Sequence, residues 1–145
     1  MKVTPGRVAE FEGLIAGVRA WAAREPDVTA VGLAGSWARG AARMDSDVDV
    51  VVLCSAPNRF EDTTGWIRDA LGQNARVVRT RRWGVLLERR VVLASGFEVE
   101  FGFVTLSWAD TDPVDAGTVR VVRDGFRAVH DPAGLLHKLT TALTS

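Results

Sequence analysis

Residues 35–52 read Gly-Ser-Trp-Ala-Arg-Gly-Ala-Ala-Arg-Met-Asp-Ser-Asp-Val-Asp-Val-Val-Val. An apolar run over 28–34 leads into Gly35 and Ser36, and ten residues further on Asp47 and Asp49 open a second apolar run that ends at Leu53. In an extended strand, residues i and i+2 face the same way, about 6.5–7 Å apart. Asp47 and Asp49 therefore project two carboxylates from one face, while Val48 and Val50 enter the core on the other. Carboxylates that close repel one another unless a cation lies between them. A hard, oxygen-liganded metal such as magnesium is the first expectation.

The chain has 145 residues, enough for one compact domain spanning 1–145 and too few for two. Its 47% apolar and 25% charged residues are ordinary for a globular protein. Eighteen basic and 18 acidic residues cancel, so the strongly basic footprint of a long nucleic-acid binder is absent, and long nucleic acid is not expected as a partner. Arginine supplies 16 of the 18 basic residues, which suits local anion sites of planar, multidentate type. Cys54 is the sole cysteine, so neither an intrachain disulfide nor a cysteine-based zinc site can form. No apolar stretch approaches the roughly 20 residues that cross a bilayer. Glu10 and Glu12 break any signal-peptide pattern at the N-terminus. A cytoplasmic protein with no membrane partner is expected.

Thr4 followed by Pro5 predicts a helix start, and Val8, Phe11, Leu14, Ile15, Val18 and Trp21 continue as an apolar stripe of about five turns. Strands are predicted at 28–34 and 47–53, with a turn and one helical turn over 36–46 between them. Asn58 caps a predicted helix running to about Leu71, with Phe60, Thr64, Ile67 and Leu71 on one face. Residues 75–81 and 84–94 read as strands. Ser95-Gly96 reads as a two-residue turn leading into a strand over 97–105. In that strand Phe97, Val99, Phe101 and Phe103 share one face, and Glu98 and Glu100 the other. A helix over 113–123, an edge strand over 126–129 and a closing helix after Asp131-Pro132 complete the chain. The fold expected is α/β, a mixed β-sheet with an antiparallel hairpin, flanked by helices.

A Gly-Ser turn at a strand end exposes backbone N–H groups suited to phosphate. Gly35 permits close approach of a ligand, the Ser36 hydroxyl can bond a phosphate oxygen, and Arg39 or Arg43 can add charge. Beside that cradle, Asp47 and Asp49 can hold two metal ions about 3.5–4 Å apart. A third acid on a neighbouring strand completes such a site, and only Glu98 and Glu100 present acids on one face downstream. These features point together to in-line nucleotidyl transfer.

Gly-Ser, ten residues, Asp-x-Asp and an apolar strand resemble the signature of the DNA polymerase beta-like nucleotidyltransferase superfamily. That superfamily includes the minimal and the aminoglycoside-type nucleotidyltransferases. The stretch Val99-Glu100-Phe101-Gly102-Phe103 resembles its third-carboxylate strand. The resemblance implies one nucleotidyltransferase-like domain and magnesium-dependent transfer of a nucleoside monophosphate. The usual case is AMP from ATP, or from another NTP as donor, to an acceptor hydroxyl. By motif position Asp47, Asp49 and Glu100 are the catalytic metal ligands and Gly35 and Ser36 the triphosphate cradle; Arg39, from its place in the loop, is read as a nucleotide contact or a loop-bracing residue. Glu100 is also the base for the acceptor hydroxyl, while Glu98 competes for its place. The acceptor, small molecule or protein, stays open. Many relatives use a helical domain, a dimer or a partner subunit to hold it.

Other features carry blander readings. Asp45 is expected to be solvated, Trp37 to pack under the loop, Cys54 to be an inert apolar residue, and His130 and His137 to be structural. Arg79–Arg82 and Arg89–Arg90 could bind nucleic acid, yet zero net charge favours solvated strand edges or phosphate contacts, and Trp83 and Trp108 border strands where they could line an acceptor cleft. Haloacid-dehalogenase-like phosphatases and metal-dependent glycosyltransferases place Asp-x-Asp after the apolar strand, whereas here the acids precede it. The alternative that survives is an antitoxin-type regulatory partner of a toxin–antitoxin pair, acting by binding or nucleotidylating a protein.

Overall fold

A computed structural model describes residues 2–144. Helix α1 spans Pro5–Arg24, with the Thr4 hydroxyl accepting the Arg7 N–H at 3.2 Å. Strands β1 (Val28–Ala34) and β2 (Val48–Cys54) flank the Gly-Ser turn. Helix α2 (Gly65–Leu71) follows, then β3 (Arg76–Trp83), β4 (Leu86–Val92) and β5 (Glu98–Val104). Helix α3 (Ala116–Asp124), the edge strand β6 (Phe126–His130) and helix α4 (Leu135–Thr144) close the chain.

The six strands form one sheet in the order β3-β4-β5-β2-β1-β6. Only β2 and β5 pair in parallel; the other neighbours are antiparallel. The expected mixed α/β sheet with flanking helices is thus what the chain forms. Strand alternation divides its two faces. Val48, Val50, Val52, Phe101 and Phe103 pack against α1 and α2, and Val51, Leu53 and Val104 pack against Leu136 and Leu139 of α4. On the first face Trp66 packs edge-on against Phe101 and Phe103, both at 5.0 Å, while Phe60 stacks on Phe103 at 4.5 Å. That aromatic block anchors β5 and leaves its glutamates on the opposite face.

Three boundaries differ from the sequence expectations. The helix predicted from Asn58 to Leu71 is broken into a 3₁₀ turn over Pro57–Phe60 and the short α2. The buried Arg89 guanidinium donates to the carbonyls of Phe60, Glu61 and Thr63, and Trp66 Nε1 donates to Phe60 and Thr63. Carbonyls captured this way are lost to a continuous helix. Helix α3 starts later than predicted because Asp115 caps it, accepting from the N–H groups of Gly117 and Thr118.

The third difference is the β4–β5 turn. Leu93 N–H bonds the Phe97 carbonyl at 2.8 Å and Gly96 N–H bonds the Leu93 carbonyl at 2.9 Å. The loop therefore holds Ala94, Ser95 and Gly96, with Gly96 at φ +87°. This three-residue form is a common alternative to the two-residue turn. One extra residue shifts the register, and Arg90 pairs with Glu100 instead of Phe101.

Arg89 is 5% exposed and bonds three main-chain carbonyls, whereas Arg82 reaches the same loop from the surface through Asn58 and Glu61. Arg89→Ala is expected to cost about 2–4 kcal/mol in denaturant unfolding, because it strands those carbonyls. Arg82→Ala is expected to cost less than about 1 kcal/mol.

Candidate active site

Sheet pairing brings the candidate acids together. Asp47 ends the loop before β2 and Asp49 is the second residue of that strand. The parallel register sets Asp49 beside Glu100 of β5. One carboxylate oxygen from each of Asp47, Asp49 and Glu100 lies within 4.8 Å of the others. Glu98 stays outside this group, its side chain 45% exposed and touching Arg90 at 3.4 Å. Three convergent carboxylates are a donor set suited to a hard divalent cation.

The turn after β1 meets the same group. Gly35 adopts φ +76°, a conformation that favours glycine, and a Cβ there would collide with Asp49 Oδ2. Backbone and carboxylate can therefore share this corner only because residue 35 is glycine. Gly35 N–H is used by the Gly125 carbonyl, and the Ala38 and Arg39 N–H groups by the Gly35 carbonyl. An open cleft of 280 Å³ begins here, lined by Gly35, Asp49, Leu86, Glu100, Val121 and Asp124. Arg39 pairs with Asp124 at 3.1 Å and bonds its carbonyl, tying the turn to the end of α3. Trp37 stacks on Phe11 at 4.2 Å beneath the loop, and Asp45 is exposed. Arg43 is exposed too, its N–H bonded to the Ser46 hydroxyl.

Two residues of this site were not placed here by the sequence: Arg90, read with Arg89 as a solvated strand edge or phosphate contact, and Glu88, which drew no reading. Arg90 sits among the acids, with Nη1 2.8 Å from Asp47 Oδ2 and Nη2 2.6 Å from Glu100 Oε2. Burial opposes its charge, but Glu100 and Asp47 outweigh that and hold the guanidinium protonated. Glu88, one turn of the pleat away on β4, is 2% exposed and bonds Arg79 Nε at 2.5 Å and Trp83 Nε1 at 3.0 Å. The alternation Glu88, Arg90 facing Glu98, Glu100 was the available signal. It becomes readable only with the three-residue hairpin loop.

Charge is crowded here, and the carboxyls show it. Burial, then the Asp47 charge, pushes Asp49 up from 3.8 to about 7. Burial and the hydrogen bond with Glu88 push Glu100 up to about 8. Burial also opposes the charge on Glu88, but the hydrogen bonds from Glu100, Arg79 and Trp83 prevail and hold it low. The crowding thus favours the proton on Glu100 and the charge on Glu88.

A family model described as a nucleotidyltransferase domain matches residues 17–98, more than half of the chain, including the Gly-Ser turn and both aspartates. Among solved structures, the Cid1 poly(U) polymerase with magnesium and 3′-dATP is similar at a TM-score of 0.53 and 16% identity, over 70% of this chain and 32% of that one. A cytoplasmic RNA terminal U-transferase is similar at a TM-score of 0.50 and 19% identity, over 71% of this chain and 31% of that one. At such identities the likeness is one of fold, and the chain spans about a third of the length of these structures. No curated protein matches the chain.

The crowded acids set a pH dependence for the metal-free protein. Asp49 and Glu100 keep their protons in the folded state to higher pH than in the unfolded chain. The native state therefore binds more protons from about pH 4 to pH 8, and stability falls as pH rises through that window. Asp49→Asn is expected to stabilise the protein by on the order of 1–2 kcal/mol at pH 8 and hardly at all at pH 4. Thermal melts in chelator check this, and added magnesium should raise the melting temperature of the wild type but not of the variant.

Proposed function

Because the chain belongs to the nucleotidyltransferase domain family, we propose that it transfers a nucleoside monophosphate, AMP from ATP in the first instance, to a hydroxyl of an acceptor. The convergence of Asp47, Asp49 and Glu100 within 4.8 Å, against the Gly35 turn, carries this reading. These three acids would hold magnesium, as a pair of ions when the nucleotide is bound. Bound there, the metal neutralises phosphate charge and favours the ionised acceptor hydroxyl.

The chain's own groups divide the remaining work. The turn receives the triphosphate on the Ser36 hydroxyl and the N–H groups of Ser36 and Trp37, those of Gly35, Ala38 and Arg39 being bonded to carbonyls. The acceptor oxygen forms a bond to the α-phosphorus, and the bond from that phosphorus to the oxygen bridging the α- and β-phosphates breaks. Pyrophosphate leaves with that electron pair. Glu100, which would be ionised with a divalent cation among the acids, takes the hydroxyl proton. Arg90 keeps Asp47 and Glu100 oriented towards each other when no other cation is present. Arg39, held by Asp124 at the mouth of the cleft, is within the same turn and can exchange that partner for a phosphate. Residues 1–145 act as one domain in this scheme.

Label from the α-phosphate of ATP, and not from the γ-phosphate, is expected to move to an acceptor when magnesium is present. Lysate fractions and a panel of small hydroxyl compounds supply the acceptors. Asp47→Ala and Asp49→Ala should each lower transfer by at least about a thousandfold, in the range expected for losing preorganised electrostatic stabilisation. Full transfer by both variants would refute the carboxylate assignment.

A further inference from the structure

Arg90 reaches three acids at once. Its Nη1 lies 2.8 Å from Asp47 and 3.4 Å from Glu98, and its Nη2 lies 2.6 Å from Glu100. Asp47 and Glu100 belong to the group that suits a divalent ion, and Glu98 does not. A magnesium ion sits about 2.0–2.1 Å from its oxygens in a nearly octahedral shell. The guanidinium fork fills the corner between Asp47 and Glu100 from which such an ion would draw two of its ligands. Guanidinium and divalent ion also repel each other, more strongly in a partly dry corner than in water. The two cations therefore compete for one seat.

Two features suit the guanidinium to leaving that seat. Arg90 Nε is buried with no hydrogen-bond partner among the described residues. A buried N–H without an acceptor weakens the hold of the inner position. Glu98 then offers a second position on the same face. Arg90 pairs with Glu100 and Val92 with Glu98, so Glu98 stands diagonal to Arg90, one pleat nearer the hairpin loop. Diagonal neighbours are within reach of a long side chain. The Glu98 side chain is 45% exposed, against 31% for Asp47 and 25% for Glu100, so this second position lies towards solvent. Its 3.4 Å contact has room to shorten as the guanidinium turns outward.

Resting on the reading of Asp47, Asp49 and Glu100 as metal ligands, we infer that Arg90 is a resident counter-cation that a divalent ion must displace, and that Glu98 receives it. In the metal-free chain the inner position holds mutually repelling acids together. On loading, the guanidinium turns onto Glu98 and releases oxygens of Asp47 and Glu100 in one movement. Arg90 is thus a positioning residue with two seats. Its preference for the inner one sets the metal concentration at which the site fills. A lysine in its place is a point charge without the planar fork, and cannot bridge both acids in the same way.

The test is titration of the full chain with manganese(II) alone, without nucleotide, read by solution EPR of the free ion. Arg90→Gln should bind manganese about tenfold more tightly than wild type, the low end of what one adjacent charge does to a carboxylate's affinity for a cation. Arg90→Lys should fall between the two; it keeps the charge, and carries the comparison where Arg90→Gln does not fold. Arg81→Gln removes an equal charge from an exposed position on the same face and should change binding by less than about twofold. Glu98→Gln should weaken binding about threefold when Arg90 is present and leave it unchanged in the Arg90→Gln background. Adding Asp49→Asn to Arg90→Gln should abolish the gain. Equal affinity of wild type and both Arg90 variants overturns the proposal. So does an equal gain in Arg81→Gln, a gain that survives Asp49→Asn, or a Glu98→Gln effect of the same size in both backgrounds. None of these readouts involves transfer. If they come out as expected and no α-label ever moves, the transferase reading fails and the Arg90 device stands; if label moves while manganese affinity ignores Arg90, the reverse holds.

Discussion

Parallel pairing of β2 with β5 is the constraint on which the rest depends. It sets Asp49 beside Glu100, residues far apart in the chain, at the spacing of adjacent strands. A parallel pair cannot be closed by a tight turn and needs a long crossover. Here the crossover comprises α2, β3 and β4. The connection that makes the pairing possible therefore also carries Arg89, Arg90, Glu88 and the basic hairpin. The acid site and the residues packed around it are consequences of one topological requirement.

The same pairing concentrates like charge in a partly dry corner. Burial raises the affinity of Asp49 and Glu100 for protons, and the neighbouring Asp47 and Glu88 add to the effect. Arg90 offsets part of the repulsion by bridging Asp47 and Glu100. The other face of the sheet supplies the rigidity that holds this arrangement. Phe101 and Phe103 are locked by Trp66 and Phe60, and that loop is tied by Arg89. Stability is spent on positioning groups that repel, as is usual for functional sites.

Much of the fold was legible because its signals are local. The Thr4-Pro5 cap, the apolar stripe of α1 and the valine run of β2 each follow from spacing of a few residues. Elements failed to match where a distant group competed for backbone atoms. Nothing near residue 60 announces that Arg89 will take the Phe60, Glu61 and Thr63 carbonyls, so a continuous helix was the natural expectation. Nor does anything near residue 39 announce Asp124, which α3 brings in to hold the Arg39 guanidinium.

The sequence alone determined the chemistry of residues 35–49, a glycine-serine turn and two acids one pleat apart, since strand periodicity and glycine's freedom are local physics. It also narrowed the third acid to Glu98 or Glu100. Only the tertiary structure chose between them, through the strand register that pairs Glu100 with Asp49 and leaves Glu98 at the rim. It likewise decided that Arg90 stands among the acids and Trp83 beyond them. One residue in the β4–β5 loop makes that difference, because a strand has period two and a single shift moves every side chain to the opposite face.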